Sequence, residues 1–119
     1  MFYSQFTSRF IGTMSALKVM LVDDESPQRE LLAGFLTKKG VKVRQAESGA
    51  EAITIYRDWF SPVALVDMKM PGMSGIELIA ALREINPHIQ IVMLTAFGSV
   101  ETAVSAMKNG AYDYLVKPF

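Results

Sequence analysis

Residues 63–77 read Val63-Ala64-Leu65-Val66-Asp67-Met68-Lys69-Met70-Pro71-Gly72-Met73-Ser74-Gly75-Ile76-Glu77. The opening apolar run, Val63 to Val66, has the length of a strand and the unbroken apolar character of one covered on both faces. It ends on an acid, Asp67, followed by the turn residues Met70-Pro71-Gly72. Ser74 and Glu77 then stand three apart at the head of a segment with helical spacing, the pattern of a capping box. Strand, acidic loop and helix in that order form the repeating unit of a parallel α/β sheet.

The same unit recurs on either side. Further strands are expected at Val19–Val22, Val41–Ala46, Ile89–Leu94 and Tyr112–Val116. A first helix should open at Ser26 as N-cap with Pro27 in its first turn, bury Leu31, Leu32, Phe35 and Leu36, and stop at Gly40. A second opens with Ser48-Gly49-Ala50-Glu51, again read as a capping box. A fourth runs from about Ser99 to Lys108 and ends at Asn109-Gly110, with Val100, Ala103, Val104 and Met107 as its buried stripe. Five strands and four helices give an α/β fold, a five-stranded parallel sheet occupying residues 17–119 as one domain. Residues 1–16 stand outside the alternation. Phe2, Phe6, Phe10 and Met14 recur every four residues there, which reads either as an extension from an early start or as a helix with an aromatic stripe that docks on the domain or on a partner.

Composition narrows the function. Twelve Lys plus Arg balance twelve Asp plus Glu, and the basic residues are scattered among acids, so direct binding of nucleic acid by this segment is not expected. There is no cysteine, which removes disulfides, cysteine zinc sites and cysteine nucleophiles. No apolar run approaches the ~18 residues that would span a membrane, and Met1 to Met14 lacks the pattern of a signal peptide.

Polar residues gather at the carboxyl ends of the strands: Asp23 and Asp24 after the first, Asp67 after the third, Thr95 after the fourth and Lys117 after the fifth. Ligands of open α/β sheets bind at those ends, where the strand order reverses. If the sheet is doubly wound in the order 2-1-3-4-5, the first and third strands are neighbours at the reversal, and three carboxylates would share one shallow pocket. Carboxylates so close repel unless a cation intervenes, and an all-oxygen site with few protein ligands suits Mg²⁺. A metal, an anionic oxygen nucleophile, a hydroxyl donor and a lysine are the parts of phosphoryl transfer.

With these residues in register, the chain resembles the receiver domains of bacterial two-component response regulators from residue 18 to 119. The matching pieces are Val22-Asp23-Asp24-Glu25, Asp67 to Gly75, Leu94-Thr95-Ala96 and Gly110 to Phe119. The last stretch is most similar to receivers of nitrogen-regulation-type enhancer-binding transcription activators. The resemblance implies that Asp67 is the phosphoacceptor. Mg²⁺ would be held by Asp24 and Asp67 directly, by Asp23 mostly through water, and by the backbone carbonyl of Lys69. It further implies that Thr95 and Lys117 hold the phosphoryl oxygens, and that Lys117-Pro118 is a cis peptide, which X-Pro bonds adopt at modest cost. Tyr114 would be the aromatic switch that follows Thr95. The implied setting is cytoplasmic. The implied partners are a sensor histidine kinase or phosphotransfer protein and an output domain or effector, with no membrane; a homodimer is an expectation that follows from the missing fifth helix.

The resemblance also marks Lys69 and Phe97 as flanking the water that hydrolyses the acyl phosphate, with bulky Phe97 expected to slow it. The family's fifth helix would follow Phe119, so the reading is of a receiver fold lacking that helix and truncated after the fifth strand. Apolar surface exposed there would be covered by the N-terminal stripe or by another copy. His88, the only histidine, reads as a solvated turn residue, so the phosphodonor must come from a partner. An aspartyl-phosphate phosphatase of the haloacid-dehalogenase kind would need an acid where Lys69 stands. A flavin or nucleotide binder would need glycines in the acidic first loop. A degenerate receiver, acting as a phosphorylation-independent interaction module, would lack part of the acidic set, the Thr or the Lys.

Overall fold

A computed structural model describes residues 17–68, 70, 72–95 and 100–116. Five strands, β1 (Lys18–Val22), β2 (Lys42–Ala46), β3 (Val63–Asp67), β4 (Gln90–Thr95) and β5 (Asp113–Val116), alternate with four helices. The helices are α1 (Ser26–Lys38), α2 (Gly49–Asp58), α3 (Gly75–Ile85) and α4 (Val100–Lys108). The sheet is parallel throughout and its order is β2-β1-β3-β4-β5. This is the doubly wound order that the family resemblance implies, and each strand boundary falls within one residue of the place expected from the alternation.

The period of two in the strands divides the core. On one face Met20, Val22, Ala64, Val66, Ile91 and Met93 pack with Ala52 and Tyr56 of α2 and Leu78, Ile79 and Leu82 of α3. On the other, Val19, Leu21, Val63, Leu65, Val92 and Leu94 pack with Ala33 and Leu36 of α1. Every one of these strand residues is buried, as parallel strands between helical layers require. The apolar exposure expected on the second face is absent at Leu65, Val92 and Leu94. The N-terminal stripe that was to cover it lies outside the described residues. Below the sheet, Tyr56 OH donates to the Ser61 carbonyl and accepts from Asn86 Nδ2 at 3.0 Å, tying α2 to the ends of two connections.

Helix ends follow local chemistry, with corrections. At α3 the box is complete: Ser74 Oγ accepts from the Glu77 amide, and Glu77 Oε1 accepts from the Ser74 amide at 2.8 Å. At α2 only half of it forms. Ser48 Oγ accepts from the Glu51 amide, but the Glu51 carboxylate takes the Glu47 amide instead, one residue further out. At α1 the N-cap is Glu25, with no side-chain cap, and Ser26 is already helical. Pro27 has no amide to satisfy, which lessens the need for a cap. The stops at Gly40 and Gly110 take φ of 90° and 111°, where glycine carries no Cβ penalty.

Two buried stripes differ from expectation. In α1 the inward row is Arg29, Ala33 and Leu36, with Leu32 beside it, while Leu31 is 77% and Phe35 40% exposed. Leu31, Leu32, Phe35 and Leu36 span two adjacent rows of the helix, and only one row can face the sheet. In α4, at the edge of the sheet, Val104 and Met107 point outward; the side chains of Val100 and Ala103 lie outside the described residues. No helix among the described residues is long and apolar enough to cross a membrane.

The corrected α1 row makes a prediction. Leu36→Ala should lose roughly 2–5 kcal/mol of folding stability, because a fully buried leucine leaves a cavity, whereas Leu31→Ala should stay within about 0.5 kcal/mol. Urea unfolding of both variants reads the difference, and equal losses would contradict the assigned row.

Candidate functional site

The register of the central strands builds the site. Val22 is paired with Val66, so the next residues in each strand direction, Asp23 and Asp67, emerge side by side at the carboxyl edge. Here the chain's path through the sheet reverses, β2 lying on one side of β1 and β3 on the other. One carboxylate oxygen from each of Asp23, Asp24 and Asp67 lies within 4.8 Å of the others. Asp23 and Asp67 are buried and Asp24 is exposed, so the cluster is a shallow pocket open on the Asp24 side.

Asp23 is held at several points. Its amide donates to the Ala46 carbonyl at 3.1 Å, carrying the β1–β2 ladder one step beyond the strand. Its Oδ1 accepts from the Glu25 amide at 3.0 Å, an Asx turn that bends the chain into α1. Its carbonyl accepts from Arg29 Nη1 at 2.7 Å. Asp67 closes β3 opposite Leu94, and the Met68 amide donates to the Leu94 carbonyl at 2.9 Å. Behind it, the Gly75 amide donates to the Met68 carbonyl at 3.3 Å, which seats the start of α3 against the strand end.

Thr95 ends β4, fully buried and paired with Val116. Tyr114 is opposite Met93, two residues back, so Thr95 and Tyr114 occupy diagonal positions on one face of neighbouring strands. Tyr114 is half-buried and packs against the α2–α3 side of the core. His88 sits exposed in the turn after α3, its amide bonded to Asn86 Oδ1. The structure thus brings Asp23, Asp24 and Asp67 together, with Thr95 at the end of the next strand. Lys69, Phe97, Lys117 and Pro118 lie outside the described residues.

Arg29 and its partner Gln45 were not singled out in the sequence. A signal was present: Arg29 is in phase with Ala33 and Leu36, at i+4 and i+7, and an arginine on a buried row calls for an acceptor.

The donor set is all oxygen and all anionic, which fits a hard divalent cation such as Mg²⁺ and no soft metal. Without a cation the three carboxylates oppose one another at short range.

The family model for the response regulator receiver domain matches residues 19–119. The response regulator protein FleR of Pseudomonas aeruginosa is 42% identical over 105 residues, covering 87% of this chain and 22% of FleR. A response regulator receiver domain protein from Clostridium thermocellum superposes with a TM-score of 0.82 at 34% identity, covering 87% of this chain and 83% of that one. NtrX from Brucella abortus, solved with ADP, superposes with a TM-score of 0.84 at 34% identity, covering 87% of this chain and 24% of that one. The chain spans about a quarter of the length of the first curated relatives it matches, several of which are named as regulatory or transcriptional regulatory proteins.

The seat of α3 yields a prediction. A Cβ on Gly75 would lie 2.6 Å from Met93 Cε, 3.0 Å from the Asp67 carbonyl oxygen and 3.2 Å from Met68 Cα. The Met93 tip can move; the two backbone atoms cannot without displacing Asp67. Gly75→Ala should therefore cost about 1–3 kcal/mol through overpacking, despite the helix propensity that alanine gains. Thermal unfolding would check this, and an unchanged or raised Tm would contradict it.

Proposed function

The chain belongs to the response regulator receiver domain family, and from that premise we propose that Asp67 accepts a phosphoryl group from the phosphohistidine of a sensor kinase or phosphotransfer protein. The observation that carries the reading is the convergence of Asp23, Asp24 and Asp67 within 4.8 Å at the reversal point of the sheet. Asp67 is the member of the three that closes β3, with the next strand's Thr95 at its flank.

An Asp67 carboxylate oxygen attacks phosphorus in line, forming the O–P bond as the N–P bond of the donor breaks, and the departing imidazole nitrogen takes up a proton. The product is an acyl phosphate on Asp67. Asp24 and Asp67 would hold Mg²⁺ directly, Asp23 mostly through water, with the carbonyl of Lys69 as a further ligand. When bound, the ion would supply positive charge that offsets the carboxylates and favours the approach of an anionic phosphoryl group. The hydroxyl of Thr95 and the ammonium of Lys117 donate to those oxygens. The domain is regulatory, assisting its own phosphorylation and dephosphorylation.

The acyl phosphate acts by population shift. It favours the arrangement in which Thr95 turns toward the phosphoryl group, and the space this leaves admits the Tyr114 ring. The diagonal placement of the two residues on one face supports that coupling. The surface altered is that of α4 and β5, and its reader is an output domain or effector protein, transcriptional by analogy with the longer relatives.

Incubation with Mg²⁺ and acetyl phosphate should add one phosphoryl group by intact mass to the parent and none to Asp67→Ala. Absence of an Asp67-dependent gain would overturn the reading in favour of a phosphorylation-independent interaction module. In the same assay Phe97→Glu should shorten the phosphoryl half-life, by admitting and polarising the hydrolytic water; a half-life unchanged or longer contradicts the role given to Phe97.

A further inference from the structure

We infer that Arg29 is a positioning residue for the acidic site, fixing the Asp23 peptide so that the three carboxylates converge on a cation; the inference rests on the reading of that site as a Mg²⁺ site. Arg29 lies in the first turn and a half of α1, on the row that Ala33 and Leu36 continue into the core, and it is only 8% exposed. An arginine on such a row ordinarily extends its head to water. This one turns back toward the β1–α1 loop. Nη1 donates to the Asp23 carbonyl at 2.7 Å, Nε to Gln45 Oε1 at 3.0 Å and Nη2 to Ser26 Oγ at 3.4 Å.

The placement is unfavourable by every local rule. A cation near a helix N-terminus opposes the helix dipole, and a guanidinium buried against neutral oxygens loses hydration that neutral acceptors only partly replace. The negative potential of Asp23, Asp24 and Asp67 offsets that loss, and the geometry explains the use. β1 ends at Val22, so the Asp23 carbonyl lies past the last residue paired with β3. Arg29 gives that carbonyl its donor, while the fork's second arm reaches Gln45 on the far strand β2. With the Asp23 amide on Ala46 and Oδ1 on the Glu25 amide, the orientation of the carboxylate is set from three directions.

Arg29 acts on cation binding in two opposed ways. Its charge repels a cation, and its fork holds a ligand in place; the fork dominates. Calorimetric titration of the full chain with Mg²⁺, and Tm with and without saturating Mg²⁺, separate the two. Arg29→Met should weaken Mg²⁺ binding about tenfold, the usual scale for losing an outer-shell support, and shrink the rise in Tm that Mg²⁺ produces. Arg29→Lys keeps the charge but not the planar fork, and should bind like Arg29→Met. Gln45→Leu, at an exposed position, should show a smaller loss in the same direction. Arg29→Met binding Mg²⁺ as tightly as the parent, or more tightly, overturns the inference. Full restoration in Arg29→Lys does so too, since charge alone would then suffice. Should Arg29→Met fail to fold, unchanged affinity in Gln45→Leu overturns it. A parent whose Mg²⁺ binding survives Asp67→Asn, or that binds none, overturns the reading of the site itself. Binding lost in Asp67→Asn but untouched by the Arg29 and Gln45 changes overturns only this inference.

Discussion

Where Val22 lies beside Val66, two strands that approach from opposite wings of the sheet run together for four paired residues and end on acids. Parallel pairing keeps successive residues level, so the residues that follow Val22 and Val66 must also be neighbours, at roughly the 4.8 Å spacing of the sheet. Two carboxylates are thereby brought together by backbone hydrogen bonding, whatever they prefer electrostatically. The apolar interior on both faces enforces this register, because a slip of one residue would turn Met20 and Val22 toward α1 and Val19 and Leu21 toward α2.

The surrounding polar contacts manage the consequence of that juxtaposition. A backbone amide reaches Asp23 through the Asx turn, a guanidinium stands behind its carbonyl, and Asp24 remains in solvent, where water screens it. Among the described residues no buried side-chain nitrogen or oxygen lacks a hydrogen-bond partner. The pocket is therefore polar but organised, with its repulsion directed toward an open side where a cation can enter.

Much of this was legible in the sequence because the strands announce themselves. Runs such as Val63 to Val66 leave few alternatives when each is followed by a loop and a helix start, and the acids fall at one register of the repeat. Helix faces were less legible. Leu31 and Phe35 are as apolar as Leu32 and Leu36, and only the direction from which the sheet approaches decides which pair is covered. Arg29 was missed for the converse reason: a charged residue on a buried row looks like an interruption until the carbonyl it serves is placed. The cap at α1 was misplaced because the helix begins one residue earlier, with Glu25 at the N-cap, Ser26 already helical and the Arg29 amide bonded to the Glu25 carbonyl.

The complete capping box at Ser74 has a bearing on how such a domain can diversify. The box satisfies the amides of Ser74 and Glu77 at the start of α3, while the Gly75 amide between them is tied back to the Met68 carbonyl. Met68 and Met70 of the connection that precedes the helix are buried in the core, and Met73 packs against the same cluster. A change at Met68 or Met70 would therefore act at once on the acid and on the frame that presents it, which couples any retuning of the site to the packing of the core.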